Sequence, residues 1–346
     1  MTLGRIAFLG SGETSLAGGR IFENLARLIP SPLRIAILET PAGFELNSSL
    51  VAGRVGEFLQ TRLQNYKPRI DLIPARKQGT KFSPDNLEIL KPLLQANMIF
   101  MGPGSPSYVS RQLRGTLAWD ILRARHRLGA TLVFASAATI SVGEWILPVY
   151  EIYKAGEDVH VKDGLRFFSD FGLHLCFIPH WNNTEGGADL DTSRCFMGME
   201  RFEQWRKLTP AQNIIVGLDE HSGIIIDCEK EICSVYGLGS VSILKRDTLE
   251  IYPAGASFSL NELGNYITPE PIERGIDPKV WEMALNSSNS HAKVEPPSDE
   301  VLSLLEQRRQ ARVNKNFAES DRLRNMITAL GWAVQDGREG QKLLKL

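Results

Sequence analysis

The sequence predicts an α/β fold: a doubly wound, mostly parallel sheet followed by a small C-terminal helical hairpin. Two observations carry this prediction. Up to about residue 145, the chain alternates short apolar runs with amphipathic stretches, which is the pattern of βαβ crossovers. Most of these runs are continuously apolar and do not alternate with polar residues, which is typical of strands that are covered on both faces.

Five short apolar runs predict the strands of this first half. They lie at 6–9, 35–38, 70–73, 98–101 and 131–134. Between them, large apolar side chains recur at helical spacing and predict the crossover helices. The clearest examples are Ile21, Leu25 and Leu28, and then Leu87, Leu90 and Leu94.

The pattern changes between residues 146 and 257. Apolar runs at 175–178 and 214–218 predict two further strands, with a helix near 194–207 between them. Two β-rich runs at 223–226 and 231–235 predict a hairpin, and segments near 240–244 and 249–252 predict closing strands. We therefore expect an antiparallel finish to the same domain, which spans residues 1–257.

Residues 258–297 have little periodicity and are interpreted as an irregular connector and linker. The Ser- and Asn-rich run at 286–290 and the Pro-Pro pair at 296–297 are typical of linkers. Residues 298–346 contain two amphipathic helices, the second ending at Gly331. Because about 50 residues bury little apolar surface alone, we expect this segment to dock on the main domain or on a partner.

The composition argues against several classes of function. The 39 Lys and Arg residues balance 40 Asp and Glu residues, so no field of one sign draws the chain to nucleic acid or an acidic membrane, which argues against a dedicated nucleic-acid binder and leaves a local basic patch open. No run approaches the ~20 apolar residues of a membrane span, and the N-terminus does not resemble a signal peptide. The four cysteines form neither a disulfide framework nor a zinc motif. These observations predict a cytoplasmic protein.

Three segments follow predicted strands, where the sites of such sheets form. The loop containing Gly12 lacks the third glycine of a dinucleotide fingerprint, so it is either a ligand-approaching loop or a tight turn. Ser136 lies among small residues at a strand-to-helix turn, which suits a nucleophile elbow or a helix N-cap. His180 begins a polar loop, where it can act as a general base. His126, in a basic helix, is expected at the surface.

The order and spacing of these motifs resemble the dipeptidase E and cyanophycinase family of serine peptidases over residues 3–252. The fold of that family is like that of the class I glutamine amidotransferases, which is flavodoxin-like. The matching stretches are LGSGE at 9–13, MGPGSP at 101–106, LRGT at 113–116, ASAA at 135–138, PH at 179–180 and GLDEHSG at 217–223.

The resemblance implies a role for each matching residue. Ser136 would be the nucleophile and His180 its base. The backbone N–H groups of Gly104 and Ala137 would form the oxyanion hole, since Pro103 has no N–H.

The acid that orients the histidine would be Glu151, at the family's usual distance after the serine, with Glu157 as the competitor. Arg194 would either bind a substrate carboxylate or lie on a helix surface, and Asn183 and Gly12 would contact substrate. No cofactor or metal is implied.

Two positions depart from the family's Gly-x-Ser-Ala-Gly pattern. Phe134 replaces the glycine two residues before the serine, and Ala138 replaces the one two residues after it. The ring of Phe134 must therefore point away from the turn, or the turn must relax. The serine also argues against a glutaminase, which uses a cysteine at this position.

The C-terminal segment resembles the C-terminal helical region of cysteinyl-tRNA synthetase. The matching stretches are EQRRQAR at 306–312, KNFAESDRLR at 315–324 and LGWAVQD at 330–336. The catalytic signatures of that enzyme are absent, so no aminoacylation is implied. The segment is either a docking or dimerisation module, which would give a homodimer, or a contact for tRNA.

Two functions follow from these resemblances. The first is a serine hydrolase that cleaves a small peptide or amide through a Ser-His-Glu triad. The alternative is a catalytically weak or inactive, amidotransferase-like binding module whose pocket senses a ligand while the C-terminal hairpin docks a partner or tRNA.

Overall fold

The computed structural model describes residues 2–268, 275–292, 297–337 and 340–345. Its strands, in chain order, are β1 (Ile6–Leu9), β2 (Arg34–Leu38), β3 (Arg69–Ile73), β4 (Met98–Met101), β5 (Thr131–Ala135), β6 (Trp145–Ile146), β7 (Lys162–Asp163), β8 (Leu175–Ile178), β9 (Ile214–Leu218), β10 (Ser222–Asp227), β11 (Ile232–Gly237), β12 (Ser240–Lys245), β13 (Thr248–Pro253), β14 (Ser257–Ser259), β15 (Trp332–Gly337) and β16 (Gly340–Lys345).

The helices are α1 (Leu16–Leu28), α2 (Ser48–Arg62), α3 (Leu87–Gln95), α4 (Pro106–Leu113), α5 (Leu117–Arg127), α6 (Ala137–Ser141), α7 (Gly198–Leu208), α8 (Pro278–Ala292), α9 (Asp299–Val313) and α10 (Phe317–Ala329). Short 3₁₀ turns lie at Thr40–Ala42, Gln64–Tyr66, Phe167–Phe171 and Leu260–Leu263, and one π-helical turn lies at Tyr150–Lys154. None of the helices in the described residues is long and apolar enough to cross a membrane.

Within the described residues, eight strands form the central sheet, in the order β14-β11-β10-β1-β5-β4-β2-β3. The five strands expected from the first half of the sequence are present and pair in parallel. Strands β10, β11 and β14 add an antiparallel edge next to β1. The chain therefore has a mixed α/β fold with a large central sheet.

Two apolar cores cover the two faces of this sheet, which explains why its inner strands β1, β4 and β5 are buried at every position. Ile6 and Phe8 of β1 enter the core under α3 and α5, whereas Ala7 and Leu9 enter the core under α1 and α2. Because successive side chains of a strand point to opposite faces, a strand between two cores must be apolar at odd and even positions alike.

A second sheet has the order β13-β12-β9-β8. Here the sequence expectation needs a correction, because β8 and β9 pair in parallel, whereas β9, β12 and β13 pair antiparallel as expected. The helix expected near 194–207 begins later, as α7. The parallel pairing matters for function, since it brings the carboxyl ends of β8 and β9 to the same edge.

The connector between residues 258 and 297 is more ordered than the sequence suggested. The Ser- and Asn-rich run at 286–290 lies in α8, and residues 269–274 and 293–296 lie outside the described residues. Val280 and Ala284 of this helix are buried, and the Ser287 hydroxyl donates to the Leu94 carbonyl at 3.0 Å. Packing against α3 and α5 thus outweighs the weak helix propensity of Ser and Asn.

The C-terminal segment contains a β-hairpin that the sequence analysis did not predict. Helices α9 and α10 pack with the β15–β16 hairpin around a small core of Val301, Leu304, Ala311, Leu323, Ile327, Trp332 and Val334. Gly331, with a φ of 81°, ends α10 as expected, because glycine adopts this left-handed conformation without a steric cost.

His126 lies in the core and not at the surface, contrary to the sequence expectation. It is 1% exposed, its Nε2 lies 2.8 Å from the Gly4 carbonyl oxygen, and its ring contacts those of Phe167 and Phe171. Burial lowers the pKa of His126 to about 4, and the positive charge of Arg127 acts in the same direction. The sequence prediction was based on the basic residues next to His126 in the chain, and it could not include the aromatic rings that contact His126 in the fold.

Candidate active site

Ser136 occupies a strained turn between β5 and α6. Its φ is 51° and its ψ is −116°, a conformation that is unfavourable for a residue with a Cβ atom. Its hydroxyl does not cap α6, so the helix N-cap interpretation is not met. The turn leaves Oγ at the wall of a cleft, as a nucleophile elbow requires.

The two departures from the elbow pattern are accommodated. Phe134 lies within β5, and its ring points into the core, where the centroid of the Phe8 ring is 5.5 Å away. Ala138 is buried and its N–H donates to the Gly102 carbonyl at 3.3 Å. Neither side chain therefore occupies the space in front of Ser136.

His180 faces Ser136 across the cleft. The distance between Ser136 Oγ and His180 Nε2 is 3.2 Å, which is hydrogen-bond distance. The backbone of His180 has a φ of 50°, and its N–H donates to the Gly10 carbonyl at 3.2 Å. This contact fixes the loop after β8 against the turn after β1.

The carboxylate that contacts His180 is Glu220, which the sequence analysis did not select. Glu220 Oε1 lies 2.9 Å from His180 Nδ1 and also accepts a hydrogen bond from Asn183 Nδ2 at 2.9 Å. The Glu220 N–H donates to Asn182 Oδ1 at 2.8 Å. With the Nδ1–H donating to the carboxylate, Nε2 is left to accept the proton of Ser136.

The expectation for Glu151 is corrected by this geometry. Glu151 lies on the π-helical turn, and its Oε1 accepts from Lys162 Nζ at 2.7 Å. The competitor, Glu157, lies 3.7 Å from His160 Nε2. The spacing after the serine therefore favoured the wrong carboxylate, because the π-helical turn directs Glu151 to Lys162.

A sequence signal for Glu220 did exist. The Asp-Glu pair at 219–220 directly follows β9, and His180 comes shortly after β8. Once β8 and β9 pair in parallel, both turns lie at the same sheet edge. The missing information was the pairing, which the sequence pattern does not specify.

Glu220 remains ionised at neutral pH. Burial acts to raise its pKa, but the hydrogen bonds from His180 and Asn183 outweigh burial and lower the pKa below its ordinary value. A permanent carboxylate next to Nδ1 stabilises an imidazolium when His180 accepts a proton.

The cleft in front of Ser136 has a volume of about 280 Å³. The residues of its wall include Gly104, Ala137, Ile140, Val149, Tyr150, Tyr153, Lys154, Glu185 and Phe196. The Ala137 N–H is the first of α6 and so has no partner within the helix. Gly104 must be glycine, because a Cβ atom there would lie 1.8 Å from the Pro41 carbonyl oxygen.

Cys195 also lines this cleft, but it is a poor nucleophile. Burial raises its pKa to about 12, and the negative charge of Glu220 acts in the same direction. The thiol is therefore protonated at neutral pH, and only the thiolate form of cysteine attacks efficiently.

The three residues expected to bind substrate do not line the cleft. Arg194 lies over the indole of Trp181, 3.9 Å from the ring centroid, and its Nη1 donates to the Trp181 carbonyl. Asn183 is 2% exposed and positions Glu220. Gly12 has a φ of 72°, and a Cβ atom there would lie 2.4 Å from His221 Nδ1. These three residues shape the loops around the site.

In the described part of the chain, no group of three or more His, Cys, Asp or Glu side chains is arranged to hold a metal ion. The four cysteines are free and buried. Ser136 and His180 line the cleft, and Glu220 contacts the imidazole without lining the cleft itself.

Comparison with solved structures finds a peptidase from an acI-B1 actinobacterium. The two structures superpose with a TM-score of 0.60 at 19% sequence identity, covering 75% of this chain and 97% of the other. At this level of identity the similarity concerns the fold. It confirms a peptidase-like fold for the larger part of the chain.

Comparison of sequences finds a different relative for the C-terminal segment. Residues 297–342 match the family described as the cysteinyl-tRNA ligase anticodon binding domain. The cysteine–tRNA ligase of Chlamydia trachomatis serovar A is 52% identical over 48 residues, which are 14% of this chain and 10% of that protein. The enzyme of Pseudomonas entomophila is 31% identical over 140 residues, or 39% of this chain and 25% of that protein.

The chain thus spans only a tenth to a quarter of the length of these curated relatives. Both resemblances found in the sequence are confirmed, the first by a comparison of folds and the second by a comparison of sequences. The main domain is similar in fold to a peptidase, and the C-terminal segment is similar to the anticodon binding domain of cysteinyl-tRNA ligase.

Proposed function

We propose that this protein is a serine hydrolase that cleaves a small peptide or amide through Ser136, His180 and Glu220. One observation carries the proposal. A hydroxyl, both nitrogens of an imidazole and a carboxylate are joined by contacts of 3.2 Å and 2.9 Å, and the hydroxyl and the imidazole line a cleft. Hydrolases that form an acyl-enzyme use this order of groups.

Each group has one role in the proposed reaction. His180 Nε2 accepts the proton of Ser136 as Oγ attacks the carbonyl carbon, and Glu220 stabilises the resulting imidazolium. The N–H groups of Gly104 and Ala137 donate to the oxyanion. His180 then gives the proton to the leaving amine, and a water molecule, activated by the same imidazole, releases the acyl group from Ser136.

We also propose a more specific type of fold for the main domain. The motif order over residues 3–252 supports a class I glutamine amidotransferase-like domain of the dipeptidase E and cyanophycinase type. A serine at the elbow and a protonated Cys195 favour peptide or amide hydrolysis over glutaminase chemistry.

Labelling with a fluorophosphonate tests the proposal. We expect the full chain to be labelled, the Ser136→Ala variant to resist labelling, and the Ser193→Ala variant to be labelled at the wild-type rate. Ser193 is a suitable control because it lies in the loop after His180 without lining the cleft. Unlabelled wild-type protein, or full labelling of Ser136→Ala, would contradict the proposed hydrolase.

The C-terminal segment supports a second function, contact with tRNA. Residues 297–346 contain nine Lys and Arg against seven Asp and Glu, although the whole chain carries a net charge of −1. Three guanidinium groups, from Arg308, Arg312 and Arg324, converge on the single carboxylate of Asp336. Arg312 and Arg324 are each 43% exposed, so a local excess of positive charge faces solvent.

Binding of bulk tRNA by the full chain at two salt concentrations tests this second function. We expect the Arg312→Glu and Arg324→Glu double variant to bind about tenfold more weakly at low salt. The control is Arg322→Glu, whose side chain already pairs with Glu319 within one helix turn. Equal binding by the double variant and the control would contradict contact with tRNA through Arg312 and Arg324.

A further inference from the structure

The indole of Trp181, the residue after His180, packs against two groups and is 5% exposed. One is the backbone of β9 at Gly217, where a Cβ atom would lie 2.4 Å from the indole ring. The other is the guanidinium group of Arg194, whose Cζ lies 3.9 Å from the ring centroid. A guanidinium group at this distance is attracted by the π electrons of the ring. These contacts leave the indole little freedom to move.

Arg194 and the residue after it also bind the backbone beside the imidazole. The Trp181 carbonyl accepts two hydrogen bonds from Arg194, one from Nη1 at 2.8 Å and one from the backbone N–H at 3.0 Å. The Cys195 N–H donates to the His180 carbonyl at 3.1 Å. Residues 194 and 195 therefore hold both carbonyl groups of the dipeptide that carries the imidazole.

These donors lie on a turn with an unusual backbone. Arg194, Cys195 and Phe196 have φ values of 58°, 61° and 66°, and three consecutive residues with a Cβ atom rarely share this left-handed region. Such a conformation persists where surrounding contacts stabilise it, and it is most often found at functional sites. Here the turn directs two successive N–H groups to the carbonyls of residues 180 and 181. The contacts with the loop after β8 thus account for its geometry.

The same indole joins the loop of His180 to the turn of Glu220. The Trp181 N–H donates at 3.0 Å to the carbonyl of Leu218, which ends β9 two residues before Glu220. His180 Nδ1 and Glu220 Oε1 are 2.9 Å apart. A small shift of Trp181 along β9 would lengthen this contact and turn the imidazole away from its productive orientation.

We propose that Arg194 is a positioning residue: it fixes Trp181 against β9 and so holds the imidazole of His180 between the hydroxyl and the carboxylate that it contacts. This inference rests on the proposed function, because the imidazole needs this orientation to exchange a proton with Ser136. The role differs from substrate binding, which the sequence resemblance implied. A guanidinium group that contacts both the ring and the carbonyl of Trp181 is not directed to a substrate carboxylate.

The rate of labelling by a neutral alkyl fluorophosphonate tests this role in the full chain. The probe has no carboxylate, so an arginine that binds substrate would not affect the rate. We expect Arg194→Met to slow labelling by about 10²-fold, because a misplaced base loses its alignment with the nucleophile. Arg194→Lys should slow it only about tenfold, since an ammonium group still attracts the indole but lacks the planar set of donors.

The matched control is Arg201→Met, on the exposed surface of α7 and outside the cleft wall. This variant loses the same charge and should keep the wild-type labelling rate.

Proton NMR supplies a second measurement that does not depend on turnover. An imidazole N–H that donates to a carboxylate forms a short, charge-assisted hydrogen bond, and its proton is strongly deshielded. The signal of the His180 Nδ1–H is identified by its absence in His180→Gln. We expect the signal in the wild-type chain and in Arg201→Met. Arg194→Met should lose it and Arg194→Lys should keep part of it, whereas a role of Arg194 in folding alone would leave it unchanged.

An unchanged labelling rate in Arg194→Met would overturn the inference. Slower labelling with an unchanged His180 signal would do so too, because the imidazole would then not be the group affected. An equal effect of Arg201→Met, or a wild-type chain without the signal, would also contradict it. If Arg194→Met does not fold, Arg194→Lys makes the same comparison with the smaller expected effect.

The proposed hydrolase can fail separately. A wild-type chain that resists labelling would refute the hydrolase, and the NMR signal would still decide whether Arg194 positions His180. A wild-type chain that is labelled, with the rate and the signal both unchanged in Arg194→Met, would refute this inference alone.

Discussion

The main domain and the C-terminal segment differ in what they share with known proteins. The main domain shares its fold with a peptidase at only 19% identity, whereas the C-terminal segment shares 52% of 48 residues with a cysteine–tRNA ligase. Side chains from distant parts of the chain, Ser136, His180 and Glu220, meet in the main domain. The C-terminal segment is a short unit with its own small core.

This difference shows that sequence identity and chemistry can lie in separate regions of one chain. A sheet between two cores needs only apolar side chains of suitable size, so its sequence can drift while the fold persists. The C-terminal segment contains the ion pair between buried Arg308 and Asp336, and fewer residue types can replace such a pair than can replace an apolar side chain. The predictions below test whether the chemistry belongs to the main domain and whether the two regions are independent.

The largest effect is expected at His180. His180→Ala removes the base that activates Ser136, so fluorophosphonate labelling should slow by about 10⁴-fold or more. His174→Ala is the control, because His174 is half exposed and contacts Glu144 outside the cleft. An equal effect of the two substitutions would mean that labelling does not depend on the imidazole that faces Ser136.

The next largest effect distinguishes Glu220 from Glu151. Glu220→Gln should slow labelling by about 10³-fold, because an amide neither fixes the tautomer of His180 nor stabilises its imidazolium. Glu151→Gln should change the rate less than about threefold, since its contact is Lys162. A reversed order of the two variants would restore the acid that the sequence resemblance implied.

Asp336→Ala tests the independence of the two regions. Arg308 is fully buried and bidentate with Asp336, at 2.8 Å and 2.9 Å, so removing the carboxylate leaves a buried charge unpaired. We expect a loss of about 3–5 kcal/mol in the stability of the C-terminal segment. Hydrogen exchange of residues 297–337 should accelerate while the labelling rate of Ser136 is unchanged. A slower labelling rate would show that the segment supports the site.

The smallest effect concerns pH and the main domain. His126 has a pKa of about 4 when folded and an ordinary value of 6.5 when unfolded, so between these values the unfolded chain binds the extra proton. Stability should therefore fall as pH decreases, by about 2 kcal/mol from about pH 7 to about pH 5. Urea unfolding at the two pH values measures this loss. It should shrink in His126→Gln and persist in His174→Gln.

Much of the fold could be predicted from the sequence because burial on both faces leaves a local signature. Strands β1 to β5 each contain a short, largely apolar run that predicts them. Helix α8 was missed, since its Ser- and Asn-rich half is stabilised by contacts with α3 and α5 that no local pattern reveals. The prediction that His126 lies at the surface was wrong for the same reason.

The candidate site was predictable where it depends on one turn and not where it depends on pairing between strands. Ser136 and His180 each follow a strand and were selected from their own surroundings. Glu220 depends on the parallel pairing of β8 with β9, so spacing from Ser136 favoured Glu151 instead. Arg194 was selected because it falls where the resembled family has an arginine, but stacking on Trp181 holds it away from the cleft wall.

A crystal structure of the full chain after treatment with a fluorophosphonate would test the catalytic proposal most directly. We expect the phosphorus atom on Ser136 Oγ, with its phosphoryl oxygen accepting from the N–H groups of Gly104 and Ala137 and with His180 Nε2 next to the adduct. Phosphorus on any other side chain, or an unmodified Ser136 in protein that has taken up the probe, would contradict the account.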